Sequence, residues 1–182
     1  QTEGHRFEPC FAHQIIDFFI YVSVYSVTLV GGGAWWWRTE TTPGWSEIFR
    51  RFDVYSPWNV GNVSIDGTNK YASTAYWSSD LSEATNAGML YLPVIYPGFS
   101  WDNLQQLPPG TSLIPRLGGE FLWKQFHAAA NLGLDMAYVA MFDEVDEGTA
   151  MYKCVPTAAG LPAQGTFVPL DIDGYNLGSD WY

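Results

Sequence analysis

Asp143, Glu144, Asp146 and Glu147 crowd into five consecutive positions, directly after the apolar run from Met136 to Phe142. Like charges packed this closely raise one another's pKa, so some of them are expected to hold a proton near neutral pH. A carboxyl that keeps its proton is a general acid, and an ionised neighbour is a base. Glycoside hydrolysis uses such a pair. The same four residues also read as a solvated acidic loop or a casual calcium site. The spacing does not fit an EF-hand, because Val145 occupies a would-be ligand position. His5, His13 and His127 stand at no metal-ligand spacing, and Cys10 and Cys154 are too few for a zinc site of cysteines. The residues therefore imply neither a cofactor nor a resident metal, and no reason to expect a Cys10–Cys154 bridge.

An unbroken apolar run such as Met136 to Phe142 marks a strand buried on both faces. In parallel α/β folds, active-site groups stand beyond the C-terminal ends of such strands. Two more strand ends carry distinctive residues. The run from Ile20 to Val30 ends at three glycines, followed by Trp35, Trp36, Trp37 and Arg38. The run from Leu90 to Tyr96 is followed by Phe99, Trp101 and Asp102.

Between these runs the pattern predicts helices. Pro43-Gly44 opens a short one from Trp45 to Arg51. Asp53 to Ser56 reads as a second strand, closed by Pro57 and Trp58, and Asn59 to Ser79 reads as loop. Asp80 and Glu83 form a capping-box pattern for a helix that runs through Ala87 and stops at Gly88. Glu120 to Leu132 is the strongest helix. Phe121, Leu122, Phe126, Ala129 and Ala130 share its apolar face, and Gly133 ends it. Strand–loop–helix thus repeats about three times, with a fourth strand at the end. That order implies a parallel sheet with flanking helices, either half of a (β/α) barrel or a smaller α/β sheet. A full barrel takes about 250 residues, and this chain has 182. Half a barrel would leave two open sheet edges, prone to self-association.

The composition narrows the partners. A net charge of −11 argues against nucleic acid, which needs a basic surface. It suits a neutral polysaccharide. Aromatics make up 17% of the chain, with 9 Trp and 11 Tyr. Most belong in the core, and a few can stack on sugar rings. The apolar stretch from Ile15 to Val30 contains Asp17 and is too short for a membrane span. It also starts too late for a signal peptide. Asn62-Val63-Ser64 is a glycosylation pattern, relevant only in a secreted chain.

Phe142-Asp143-Glu144-Val145-Asp146-Glu147-Gly148-Thr149 resembles the catalytic strand end of glycoside hydrolase family 99 and the wider 71/99-like group, with its Glu, two residues, Glu-Gly-Thr. Further segments share the likeness: Trp35 to Arg38, Phe52 to Val54, Ser56-Pro57-Trp58, Tyr96 to Trp101, Pro115-Arg116, Gly118 through Gln125, and Leu170 to Tyr175. The resemblance covers residues 20–182 and leaves 1–19 outside it. It implies about the C-terminal half of a TIM-type (β/α) barrel, in a retaining glycoside hydrolase acting on a mannan-like or xylan-like glycan. By the same likeness Glu144 is the base on the sugar 2-hydroxyl, giving an anhydro-sugar intermediate, and Glu147 is the acid/base on the leaving oxygen. Trp36, Trp58, Phe99, Trp101, Arg116 and Asp143 become candidate substrate contacts. Arg116 also reads as a structural ion-pair partner, and Asp143 as a residue that orients the loop. Secretion is a further expectation. The sequence departs from family 99 at Val145-Asp146, where the family has Trp-His, and at Phe99, where it favours Tyr. A carbohydrate-binding remnant without catalysis is the alternative reading.

Overall fold

The computed structural model describes residues 44–182 together with the strand Val27–Val30. Trp36, its neighbours from Trp35 to Arg38, Cys10, the segment 1–19 and the first part of the expected Ile20 to Val30 strand lie outside the described residues. The elements in chain order are β1 (Val27–Val30), α1 (Trp45–Phe49), β2 (Val54–Pro57), β3 (Val63–Asp66), β4 (Asn69–Ala72), α2 (Trp77–Asn86), β5 (Leu90–Tyr91), β6 (Val94–Ile95), α3 (Glu120–Asn131) and β7 (Tyr138–Val139).

β1, β2 and β5 form one parallel sheet, and β6 and β7 another. The expected single strand from Leu90 to Tyr96 is therefore divided, and Pro93 is the physical reason. Proline has no N–H to give to a ladder. Before it, Leu90 and Leu92 donate to Asp53 O and Tyr55 O on the β2 side. At Pro93 the chain changes partner: its carbonyl accepts from Tyr138 N at 2.9 Å, and Ile95 O accepts from Ala140 N at 2.8 Å. The segment 90–95 thus joins the two ladders. The four parallel runs lie side by side in chain order, as strand–helix alternation predicts. Among the described residues they do not close into a barrel.

β2 is buried along its length, because β1 and β5 cover both its edges. β7 is only half-buried, against the expectation from its apolar sequence. It pairs with β6 on one edge, and no other described strand covers its second edge.

The core lies between the sheet and the helices. Tyr55, Tyr91 and Ile95 from the strands meet Trp77 and Ala84 from α2, and Leu122 and Ala129 from α3. α2 begins four residues earlier than the capping-box pattern predicts, with Tyr76 rather than Asp80 at the N-cap position. Asp80 does not cap it but sits fully buried in its first turn, accepting from Tyr91 OH at 3.2 Å. Glu83 reaches Arg50 at 2.7 Å instead. Asn59 to Ser79, expected as loop, holds the antiparallel hairpin β3–β4, turned at Gly67-Thr68. β3 is mostly solvent-facing and β4 is half-buried, and neither holds the apolar run that announces a strand. Asn62, the glycosylation candidate, donates its side-chain amide to Asn59.

α3 differs from its expected face at one decisive position. Phe126 and Ala130 face solvent, and Gln125 takes the core position. Its side chain serves a backbone that the sheet cannot. Oε1 accepts from Tyr96 N at 3.1 Å, and Nε2 donates to Tyr96 O at 2.7 Å and Phe121 O at 2.9 Å. Tyr96 is the last residue before the loop that carries Phe99 and Trp101. Gln125→Leu would leave both Tyr96 backbone groups unpaired, at roughly 1–3 kcal/mol each. Urea unfolding is expected to show that loss, whereas Phe126→Ala, on the exposed side, should cost under about 1 kcal/mol.

Candidate active site

The site is assembled from loops at the C-terminal ends of β6 and β7, and hydrogen bonds between main chains tie them together. After Tyr96 the chain turns through Pro97-Gly98 and pairs Phe99 with Ile114 in a two-way antiparallel bridge, at 3.1 and 2.8 Å. This close return requires Gly98. A Cβ there would lie 2.7 Å from Arg116 Cγ and 3.0 Å from Ile114 O. Ser100 N then donates to Glu147 O at 2.8 Å, locking the β6 loop to the acidic loop.

The acidic loop leaves β7 at Ala140 and returns on itself. Met141 N donates to Thr149 O, while Phe142 O accepts from Met151 N and Tyr152 N. Gly148 makes the return possible with φ of +65°, in the left-handed region. A side chain there would press on Val168 at 3.1 Å and Ser100 N at 3.3 Å. Arg116 grips the same arm from below. Its Nη2 donates to Gly148 O at 2.9 Å and Ala150 O at 2.6 Å. The Tyr182 ring lies over its guanidinium at 5.1 Å.

Within this frame the carboxylates differ. Asp143 and Asp146 are exposed, and Glu144 and Glu147 are half-buried. Glu144 Oε1 accepts from Asp146 N at 2.8 Å, so Glu144 is oriented by its own loop. Asp146 Oδ1 accepts from Asn103 Nδ2 at 2.8 Å. Glu147 is the residue whose carboxyl is pushed up from the ordinary glutamate range. Burial contributes most, followed by the negative charges of Glu144 and Asp146. Glu147 is thus displaced toward its protonated form. Among the described residues, no three His, Cys, Asp or Glu side chains form a metal-holding group.

The other candidates are placed as follows. Trp101 stands beside the loop, 46% exposed, with its ring centroid 6.0 Å from that of Phe99. Phe99 itself is core, packed with Tyr96, Ile114 and Phe121, so its ring offers little to a ligand. Trp58, at the end of β2, is half-buried. Arg116 is only 4% exposed and makes no ion pair among the described residues, so its placement is that of a backbone clamp. Asp102, named above only for its place after the Leu90 to Tyr96 run, is an anchor of this loop together with Ser112 and Asn103, which the sequence does not single out. Asp102 is buried and its Oδ1 accepts from Ser112 N at 2.8 Å and Ser112 Oγ at 2.6 Å. Burial raises its pKa, but bonds from Ser112, Ser100 and Gly110 outweigh that and hold it below the usual aspartate value. Asn103 links Asp146 to the chain at Thr166, whose N–H donates to Asn103 Oδ1 at 2.7 Å. The Ser-Trp-Asp-Asn run after Pro-Gly is a turn signal that could have marked these residues as anchors.

No protein-family model matches the sequence, and no curated protein matches it. Two solved structures of the GH99 endo-alpha-mannosidase from Bacteroides thetaiotaomicron are similar to it in fold, one of them in complex with BIS-TRIS-propane. Both align at a TM-score of 0.54 with 19% identity, over 71% of this chain and 37% and 34% of theirs. The chain thus spans about a third of their length, and the likeness establishes a shared mixed α/β fold with parallel strands.

The carboxylate arrangement makes stability depend on pH in a definite direction. Glu147 has a folded-state pKa above its unfolded one, so its favourable contribution is complete below the unfolded value and is lost as pH rises through the folded value. Glu147→Gln removes the charge without the shape. The variant is expected to melt higher than wild type at neutral pH, with the gap closing below about pH 4, where the glutamate of both states is protonated. Melting curves at the two pH values check this.

Proposed function

We propose that this chain carries the acid/base part of a retaining glycoside hydrolase acting on a mannan-like or xylan-like glycan. One observation carries the reading. Two glutamates share a loop pinned at a strand end, and burial plus like charge push one of them, Glu147, toward its protonated form. The fold likeness to the endo-alpha-mannosidase structures supports it, and so does the motif resemblance. A partial (β/α) barrel is the architecture that joins these observations.

In this reading Glu144 accepts the proton of the sugar 2-hydroxyl. The freed oxygen bonds to the anomeric carbon while the glycosidic C–O bond breaks, and Glu147 gives its proton to the departing oxygen. Water then adds at the anomeric carbon. The Glu147 carboxylate takes its proton, and protonated Glu144 returns a proton to the 2-oxygen as the anhydro ring opens. Net retention follows from two inversions. Trp101, exposed next to the loop, is the sugar platform of this site, with Trp58 a second candidate. Asp143 and Arg116 act on the loop rather than on substrate, Arg116 by holding its return arm.

Purified protein incubated with α-mannans, xylans and glucans, with products read by mass, tests the proposal. Oligosaccharide release is expected. Glu147→Gln should lower it by about 10²–10⁴-fold, the usual contribution of general acid–base catalysis, and leave glycan binding intact. Equal turnover in the variant would remove Glu147 from the chemistry. Binding without turnover in the wild type would favour a carbohydrate-binding remnant.

A further inference from the structure

A cavity of about 600 Å³ opens beside the acidic loop, on the side of β7 that no described strand covers. Val139 and Met151 line it with apolar surface. One wall is a pair of aromatic rings. Phe142 and Tyr152 stack with centroids 4.9 Å apart and planes 14° from parallel. Both nevertheless remain largely in solvent, 63% and 60% exposed. Single exposed aromatics are ordinary, but a stacked pair lining a cavity is a contiguous apolar surface that asks for a ligand. Its volume falls within the roughly 300–1,000 Å³ of small-molecule sites.

The wall is rigidly coupled to the carboxylates. Phe142 immediately precedes Asp143 and Glu144, and its carbonyl accepts from Met151 N at 3.0 Å and Tyr152 N at 2.9 Å. The two rings therefore stand across the base of the loop that carries Glu144 and Glu147. Lys153 and Asp180 add polar groups to the same cavity. One is a positively charged hydrogen-bond donor and the other a negatively charged acceptor, so together they suit hydroxyls more than a charged group. The net charge of −11 likewise disfavours an anionic ligand.

We infer that the Phe142–Tyr152 wall is a sugar-stacking subsite beside the carboxylate loop, taking the C–H face of a neutral hexose or pentose ring while Lys153 and Asp180 bond its hydroxyls. This inference rests on the glycan reading above for the identity of its ligand. Its specificity lies in shape: a ring with equatorial hydroxyls at its edge and one face of C–H bonds free of axial hydroxyls fits, and a charged sugar does not.

Calorimetric titration of the Glu147→Gln protein with mannan- and xylan-derived oligosaccharides tests it, because binding is then read without turnover. Tyr152→Ala and Phe142→Ala are each expected to raise Kd about tenfold or more, the equivalent of roughly 1.4 kcal/mol, while Tyr152→Phe stays within about twofold. Both side chains are exposed, so melting temperatures should be unchanged, and that control separates lost binding from lost fold. Unchanged Kd in the alanine variants overturns the subsite. So does a Tyr152→Phe loss as large as that of alanine, which would assign binding to the hydroxyl. Failure of the folded protein to bind any oligosaccharide overturns it too. A concentration-dependent dimer abolished by the same variants would make the wall a contact between copies of the chain instead. Loss of the hydrolase reading has a different signature, no turnover by the wild-type protein on any of these glycans, and leaves the binding result standing.

Discussion

Arg116 is the side chain on which the two strand-end loops depend. It is buried, it is charged, and no carboxylate among the described residues pairs with it. Burying a cation costs several kcal/mol unless its donors find partners. Here one nitrogen, Nη2, donates to two carbonyls of one loop, Gly148 O and Ala150 O, at charge-assisted distances, while Nε and Nη1 are buried without a hydrogen-bond partner. The face of Tyr182 supplies further stabilisation. The same side chain packs its stem where Gly98 has none, so the β6 loop and the β7 loop are both shaped around it. An ion pair would have fixed one side chain. Bonds to main chain fix the path of a loop.

That difference matters because the loop being fixed is self-repelling. Four carboxylates in five positions would spread into water if the chain allowed it. The clamp from Arg116, the Ser100–Glu147 main-chain bond and the Asn103–Asp146 side-chain bond prevent this. Held in place there, Glu147 has its pKa raised, first by burial and then by the negative charges of Glu144 and Asp146. The same rigidity extends to the aromatic wall, since Phe142 and Tyr152 close the base of the loop through backbone bonds.

The parts of this arrangement differ in how well the sequence announces them. The parallel runs were legible because apolar residues clustered between glycines and prolines. Even the division at Pro93 follows from a missing N–H. The hairpin β3–β4 is announced only weakly, because Val63-Ser64-Ile65-Asp66 alternates apolar and polar residues over just four positions and its partner Asn69-Lys70-Tyr71-Ala72 does not alternate. Gln125 was missed for the opposite reason. A polar residue holds a core position to satisfy the Tyr96 backbone, and periodicity counts only apolar ones. β7 looked fully buried because its residues are apolar, but burial also needs a neighbour on each edge. At the site, the acidic run was plain in the sequence, whereas its supports were not. Ser100 and Asn103 act through main-chain groups and long-range contacts, which residue type does not encode, and Arg116, a candidate from its type, holds two carbonyls rather than the carboxylate an ion pair would need.

The central claim is that the fold makes Glu147 the proton-holding member of the carboxylate cluster. Carbon-13 NMR titration of the glutamate side-chain carboxyls, with Glu147 assigned by substitution, reads this without any substrate. The account predicts that Glu147 titrates above the ordinary glutamate value and that Glu144→Gln brings it down, since Glu144 is one of the charges that raises it. Titration of Glu147 at or below the ordinary value, indifferent to Glu144, would contradict it.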